Sequence, residues 1–391
     1  MFNITKMLTE FNTYGDQLRY DKGCSSSPFG TRPGLGPVAA WNINSQCNLN
    51  CKHCYSNSTA AKKDSTLNTK EAFALIDQLA DFKVPVLLLS GGEPLLRPDL
   101  FKLVRKAKSR NLRVVISTNG TQLTEKMVLQ LKTLGVSYIG ISLDGLKETN
   151  DQFRGKKGAF KSALEGIRNC QKYAQKVGLR FTINQENYQE IDELFQLIEA
   201  ENIPRICFYH LVYSGRGENI KEAELSDQDK KETIDKIINW AQYFIEQGDP
   251  KEILTVDNHA DGAYLYLKTK ADDPERAKYI YSQLLKSGGN RSGSAIANID
   301  HKGDVFADQF SRFITLGNIR EDEFSEIWKN EDNKFLNKMR NRKEYLKGRC
   351  ADCRFLEICN GNLRARAHAA GNLWGADPGC YLSKEETGGD I

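Results

Sequence analysis

The stretch SQCNLNCKHCYSNS, residues 45–58, holds three cysteines, Cys47, Cys51 and Cys54, within eight positions, with Tyr55 directly after them. A structural zinc site takes four closed ligands, usually supplied as two close pairs. His53 lies inside the loop as a candidate fourth ligand, but between Lys52 and Cys54 it has little freedom to complete a tetrahedral cage. Three thiolates suit a 4Fe–4S cluster with one iron left open, because such clusters normally take four Cys. An open iron is a position for a ligand that takes part in chemistry.

Outward from this loop, runs rich in Val, Ile and aromatics alternate with helical stretches such as TKEAFALIDQLADF, residues 69–82. The runs are VAAWNI 38–43, VPVLLLS 84–90, RVVIST 113–118, YIGISL 138–143, LRFTI 179–183 and RICFYHLV 205–212. Each is nearly continuous in apolar character, as parallel strands covered on both faces are. Six β-then-α units predict an α/β fold, either a partial barrel or an open doubly wound sheet, with chemistry at the C-terminal ends of the strands. The polar, punctuated first 37 residues read as an irregular N-terminal extension, and residues 38–216 as the barrel. Residues 217–290 read as a helical linker and substrate region, with helices near 226–247 and 274–287 around the segment TVDNHADGAYLYL. Residues 291–391 read as a cysteine-bearing domain with a hairpin turning at HKGD, a helix near 321–340 and a frayed end SKEETGGDI.

With 55 Lys and Arg against 51 Asp and Glu, the net charge of +4 is too small and too evenly spread for a nucleic-acid stripe. The longest apolar runs fall short of the roughly 20 residues of a membrane span, and the N-terminus lacks signal-peptide grammar. A cytoplasmic protein is expected. In that compartment thiols stay reduced, so clustered cysteines among the ten read as metal ligands. Cys24, Cys170 and Cys207 stand apart and read as small buried hydrophobes. CADCRFLEIC and the downstream PGC give a second set, Cys350, Cys353, Cys359 and Cys380, which can close a zinc site or hold an iron–sulfur cluster.

The C-x3-C-x2-C spacing followed by an aromatic, on the loop after the first strand, resembles the signature of the radical S-adenosylmethionine (SAM) superfamily. SGGEP 90–94, STNG 117–120 and SLDG 142–145 fall in order at successive strand ends. The resemblance implies a partial (β/α)6 TIM-type barrel with a small C-terminal SPASM/twitch-like domain. It implies two 4Fe–4S clusters, one on each cysteine set, since the hairpin IANIDHKGDVFADQF has no further cysteine. It also implies SAM contacts from Gly91, Gly92 and Glu93 to the amino group, from Asn119, Ser142 and Arg154 to the ribose and carboxylate, and from Tyr55 to the adenine.

YHLVYSGRG, TVDNHADGAYLYL and CRFLEICNGNLRARAHAAGNLWGADPGCYL further resemble the tetrapyrrole-modifying enzymes of alternative heme and heme d1 synthesis. The implied reaction is removal of the two acetate arms of 12,18-didecarboxysiroheme to give Fe-coproporphyrin III. Action on the propionates of the same substrate is the alternative, and a radical SAM peptide-modifying activity a second. An iron tetrapyrrole with carboxylates calls for cationic partners, for which Arg216, Arg364 and Arg366 are candidates, and for an iron ligand or acid–base group, for which His259 is the candidate. The expected partners are this substrate and a flavodoxin- or ferredoxin-type electron donor, with no nucleic acid and no membrane, acting on a monomer.

Overall fold

Side chains of a strand alternate between its two faces, so a curled parallel sheet presents one set to its helices and the other to its own interior. The computed structural model describes residues 1–61 and 65–388. Its strands in chain order are β1 (Phe2–Asn3), β2 (Val38–Asn42), β3 (Val86–Ser90), β4 (Arg113–Thr118), β5 (Tyr138–Ser142) and β6 (Val177–Ile183). They continue as β7 (Arg205–His210), β8 (Glu252–Val256), β9 (Ile296–Ile299), β10 (Asp304–Phe306) and β11 (Gly317–Asn318). Among the described residues they form one sheet in the order β1-β8-β7-β6-β5-β4-β3-β2-β9-β10-β11.

The six expected strands are β2 to β7, parallel and in sequential order. The helix after β2, Thr69–Asp81, starts on a capping box in which the Asn68 side chain accepts from Lys70 and Glu71 amides and Glu71 accepts the Asn68 amide. Leu87 and Leu89, Ile139 and Ile141, and Leu179 and Phe181 face the helices and are fully buried. The opposite faces are not the second apolar layer expected. Arg113, Tyr138, Arg180, Arg205, Tyr209 and Glu252 point inward and line a cavity of about 770 Å³ inside the curled sheet.

Three sequence expectations need correction. The sheet does not stop at residue 216: β8 pairs parallel with β7, and β9 pairs parallel with β2, so each flank gains a strand from the downstream regions. The first residues are not irregular. β1 pairs antiparallel with β8, and helices Ile4–Leu8 and Tyr14–Tyr20 follow, because Asn3 accepts a capping bond from Lys6 and its side chain donates to Asp16. The helix expected near 321–340 is two, Phe324–Lys329 and Lys334–Arg340, the second capped by Asn333. The hairpin at HKGD is β9–β10. The frayed end is helical over Lys384–Gly388, and the rest of it lies outside the described residues. Among the described residues no helix is long and apolar enough to cross a membrane.

Thr5 secures the N-terminal strand. Its buried hydroxyl donates to the Lys251 carbonyl at 2.6 Å and accepts from the Ile253 amide at 3.1 Å. Thr5→Val keeps the shape and strands both backbone groups, so it should cost about 1–3 kcal/mol. The check is a thermal melt together with hydrogen exchange at the Ile253 amide, which should lose protection; an unchanged melting temperature would deny Thr5 this role.

Candidate active site

The cysteine loop leaves the C-terminal end of β2 and is closed at its neck, where the Cys47 amide donates to the Thr59 carbonyl at 2.8 Å. Arg216 clamps it from outside: Nε donates to the Cys51 carbonyl and Nη1 to the Ser58 carbonyl, both at 2.8 Å, and its amide to the Cys54 carbonyl at 3.0 Å. With the backbone held, Cys47, Cys51 and Cys54 line one cavity at the strand ends. Burial pushes the Cys47 thiol up to about 12 and raises Cys51 as well. Binding a cation there therefore displaces protons. His53, the candidate fourth ligand, stacks flat on Phe153 with ring centroids 4.7 Å apart and places Nε2 3.6 Å from Asp144.

The turn after β3 packs backbone to backbone beneath this loop. The Gly92 amide donates to the Asn44 carbonyl at 3.0 Å and the Glu93 amide to the Gln46 carbonyl at 2.8 Å. A Cβ on Gly92 would fall 2.1 Å from the Gln46 carbonyl oxygen, and Gly91 has φ +141° with a Cβ 2.6 Å from the Asn44 carbonyl oxygen. Only glycine fits. Glu93 itself is fully buried and does not line the cavity. Its carboxylate accepts from the Thr118 hydroxyl at 2.6 Å, the Asn119 amide at 2.8 Å and the Leu95 amide at 3.1 Å. The expected contact of its side chain with the SAM amino group is corrected: the side chain joins the ends of β3 and β4, and what faces the cavity is Gly91 and Gly92.

Tyr55, Asn119, Ser142 and Arg154 line the cavity with the three thiols. Tyr55 accepts a hydrogen bond from Asn42 at 2.8 Å and meets Phe310 edge-on. Asn119 donates to Asn48 at 2.9 Å, and Arg154 pairs with buried Asp144 and approaches the Cys51 sulfur at 3.6 Å. The SLDG segment thus supplies a buried counter-charge, Asp144, as well as Ser142.

The four tail cysteines line a second cavity, against Ala260 and Ala263 of the helix Ala260–Asp272. Among the described residues no three Cys, His, Asp or Glu side chains converge on a position for a single ion. In both sets the thiols ring a cavity instead. An all-sulfur donor set fits an iron–sulfur cluster. Cys24, Cys170 and Cys207 are buried apart from both.

Two expected substrate contacts are corrected. Arg366 is fully buried in a two-point pair with Asp377, at 2.9 Å on both sides, and its remaining donors reach the Leu211 carbonyl at 3.1 Å and the Asp257 carbonyl at 2.6 Å. It pins the tail onto the ends of β7 and β8. Arg364 is equally buried and bonds the carbonyls of Leu373, Gly375 and Gly361. Arg216 lines the cysteine cavity and commits Nε and Nη1 to the loop. His259 precedes the helix Ala260–Asp272, its amide bonded to Asn362 at 2.8 Å, and its ring lines the large interior cavity, where burial holds its pKa well below the usual value.

The two cavities meet at Arg180, Tyr209, Asp257, Gln309 and Phe310. None of these was singled out in the sequence. The period-2 rule carries the signal for the strand residues: with Leu179 and Phe181 facing the helices, Arg180 must face the interior.

Residues 41–198 match the profile of the Radical SAM superfamily, and residues 291–354 that of an iron-sulfur cluster-binding domain, SPASM. Across 99% of both chains this one is 46% identical to the Fe-coproporphyrin III synthase of Methanosarcina barkeri. It is 40% identical to the pre-heme d1 synthase of Dinoroseobacter shibae over 90% of this chain and 88% of that one. Among solved structures, Streptococcus suis SuiB bound to its precursor peptide SuiA superposes with a TM-score of 0.69 at 18% identity, covering 88% of this chain and 76% of that chain. Native anSMEcpe with bound AdoMet gives 0.68 at 18% identity, covering 90% and 96%. At such identities the likeness is one of fold.

Glu93→Gln tests the joint between β3 and β4. Either amide rotamer points an NH2 group at a backbone N–H, of Asn119 or of Leu95, so the change should cost about 1–3 kcal/mol and loosen the cavity wall. A lowered melting temperature and weaker SAM binding in equilibrium dialysis are expected; a variant as stable as wild type, with wild-type SAM affinity, would refute the assignment.

Proposed function

The chain belongs to the radical SAM superfamily, and from that premise we propose that it removes the acetate side chains of 12,18-didecarboxysiroheme to give Fe-coproporphyrin III. The observation that carries the reading is the 46% identity to an Fe-coproporphyrin III synthase along the whole of both chains. The geometry is consistent with it. The interior cavity of about 770 Å³ lies within the size range of sites for ligands of this kind and opens onto the cysteine cavity.

In this reading Cys47, Cys51 and Cys54 hold a 4Fe–4S cluster, and Cys350, Cys353, Cys359 and Cys380 a second. When bound, the first cluster and SAM supply the reductive cleavage that generates the hydrogen-abstracting 5′-deoxyadenosyl group. The protein's own residues bind and orient. Gly91, Gly92, Asn119, Ser142 and Arg154 receive SAM, Tyr55 its adenine, and Asp144 keeps the Arg154 guanidinium in place. His259, held neutral by burial, faces the substrate cavity with a ring nitrogen suited to the substrate iron. The electron comes from a flavodoxin- or ferredoxin-type donor.

Attack on the propionates is the second reading, favoured by the 40% identity to pre-heme d1 synthase. Peptide modification has behind it only relatives below 30% identity, such as the 28% identical mycofactocin maturase MftC, and fold likeness to a structure bound to a precursor peptide.

Anaerobic incubation with didecarboxysiroheme, SAM and dithionite should give a product lighter by two acetate arms in the mass spectrum. Loss of mass from the propionates would replace the first reading with the second. Reconstituted protein should carry about eight irons, the content of two 4Fe–4S clusters. About four irons and one zinc would place zinc at the tail.

A further inference from the structure

Three arginines around the two cavities and the tail are paired with carboxylates. Arg154 has Asp144, Arg366 has Asp377, and Arg205 has Glu252 at 3.2 Å. Arg180 and Arg113 have no such pair among the described residues: Arg113 lines the larger cavity against the Tyr14 ring, 4.1 Å from its centroid, and Arg180 is the one described arginine that borders both cavities. It lies on β6 between Leu179 and Phe181 and borders both cavities. Among the described residues its side chain makes no hydrogen bond or ion pair, and its guanidinium rests on the ring of Tyr209, 4.6 Å from the centroid. Arg180 is half-buried, and a guanidinium withdrawn partly from water without a carboxylate partner has donors left for a ligand.

The neighbourhood is shaped around it. Gly140 on β5 leaves room for the Arg180 stem: a Cβ there would come within 2.9 Å of its Cδ. Across the neck, Asp257 follows β8 with a left-handed backbone, φ +68°, and one carboxyl oxygen, Oδ2, is buried without a hydrogen-bond partner. A non-glycine residue in that conformation at a strand end is strain of the kind found at ligand clamps. Arg180 and Asp257 both border the two cavities and form no ion pair with each other, so the neck holds a cation and a carboxyl group with unused bonding capacity.

We infer that Arg180 anchors one side-chain carboxylate of the tetrapyrrole at this neck, with Asp257 facing the same arm. The inference rests on the reading of the substrate given above. A guanidinium matches a carboxylate at two points, which fixes direction as well as position. An arm held at the neck turns its edge of the macrocycle toward the cysteine cavity and leaves the rest of the ring in the larger one. Arg180 thereby decides which edge is presented. The other carboxylate within reach is that of SAM, and the test separates the two.

The probes are Fe-coproporphyrin III and its tetramethyl ester, titrated by their absorption bands into reconstituted wild type and Arg180→Gln, with SAM affinity measured alongside. The variant should bind the acid about tenfold to a hundredfold more weakly, the effect of one charge-assisted pair, while ester and SAM affinities stay at the wild-type values. Its melting temperature should stay at that of wild type, because the Arg180 side chain makes no hydrogen bond or ion pair among the described residues that the change would break. An unchanged affinity for the acid overturns the anchor. A tenfold loss of SAM affinity with the acid unaffected assigns Arg180 to SAM and also overturns it. Wild type that takes up neither acid nor ester overturns the tetrapyrrole reading itself.

Discussion

Glu93, a carboxylate without access to water, holds together the ends of β3 and β4 through Thr118, Asn119 and Leu95. Two residues before it, the backbone turns on glycines that allow direct contact with the cysteine loop at Asn44 and Gln46. Everything at the mouth of the barrel is referenced to this joint. The loop that carries Cys47, Cys51 and Cys54 is set against it from one side, while Arg216 fixes the same loop from the other. A shift of the turn would therefore move the thiols and the wall of the adjoining cavity together. Three donors converge on one buried acceptor, so the joint has one arrangement.

The arginines divide the protein by function. Arg366, paired with Asp377 and bonded to the Leu211 and Asp257 carbonyls, joins the tail to the barrel, while Arg364 ties the carbonyls of Gly361, Leu373 and Gly375 together within the tail. The Arg366–Asp377 pair has no water on either side, and breaking such a pair typically costs about 3–5 kcal/mol. Arg180, whose side chain has no hydrogen bond or ion pair among the described residues, can meet a ligand. The same chemical group thus serves as a rivet in one place and as a binding group in the other, and only its bonding partners tell them apart.

That distinction explains what was legible in the sequence. The seven clustered cysteines and the strands β2 to β7 could be read directly, because spacing and apolar runs are local signals. The residues that the family resemblance implies for SAM, all but Glu93, line the cysteine cavity. Glu93 misled because a conspicuous acid beside two glycines reads as a ligand, while its satisfied bonds depend on β4. Arg364 and Arg366 misled for the same reason: the groups that occupy them, from Gly361 to Asp377 and back to Leu211, have no sequence signature. β1 and β8 were missed because one is two residues long and the other follows a twenty-residue helix, outside the β-then-α rhythm. The contact that orders the N-terminus, Thr5 with Lys251, spans 246 residues. Arg180 was hidden inside an apolar run whose alternation had not been resolved.

The central claim is that the two cavities work as one site, with SAM on the cysteine side and the tetrapyrrole beyond the neck. Transfer of hydrogen between them tests it most directly. Didecarboxysiroheme deuterated at all its carbon-bound positions, turned over with unlabelled SAM, should yield 5′-deoxyadenosine heavier by one deuterium, in proportion to the tetrapyrrole product formed. Unlabelled 5′-deoxyadenosine accompanying full product formation would contradict the account.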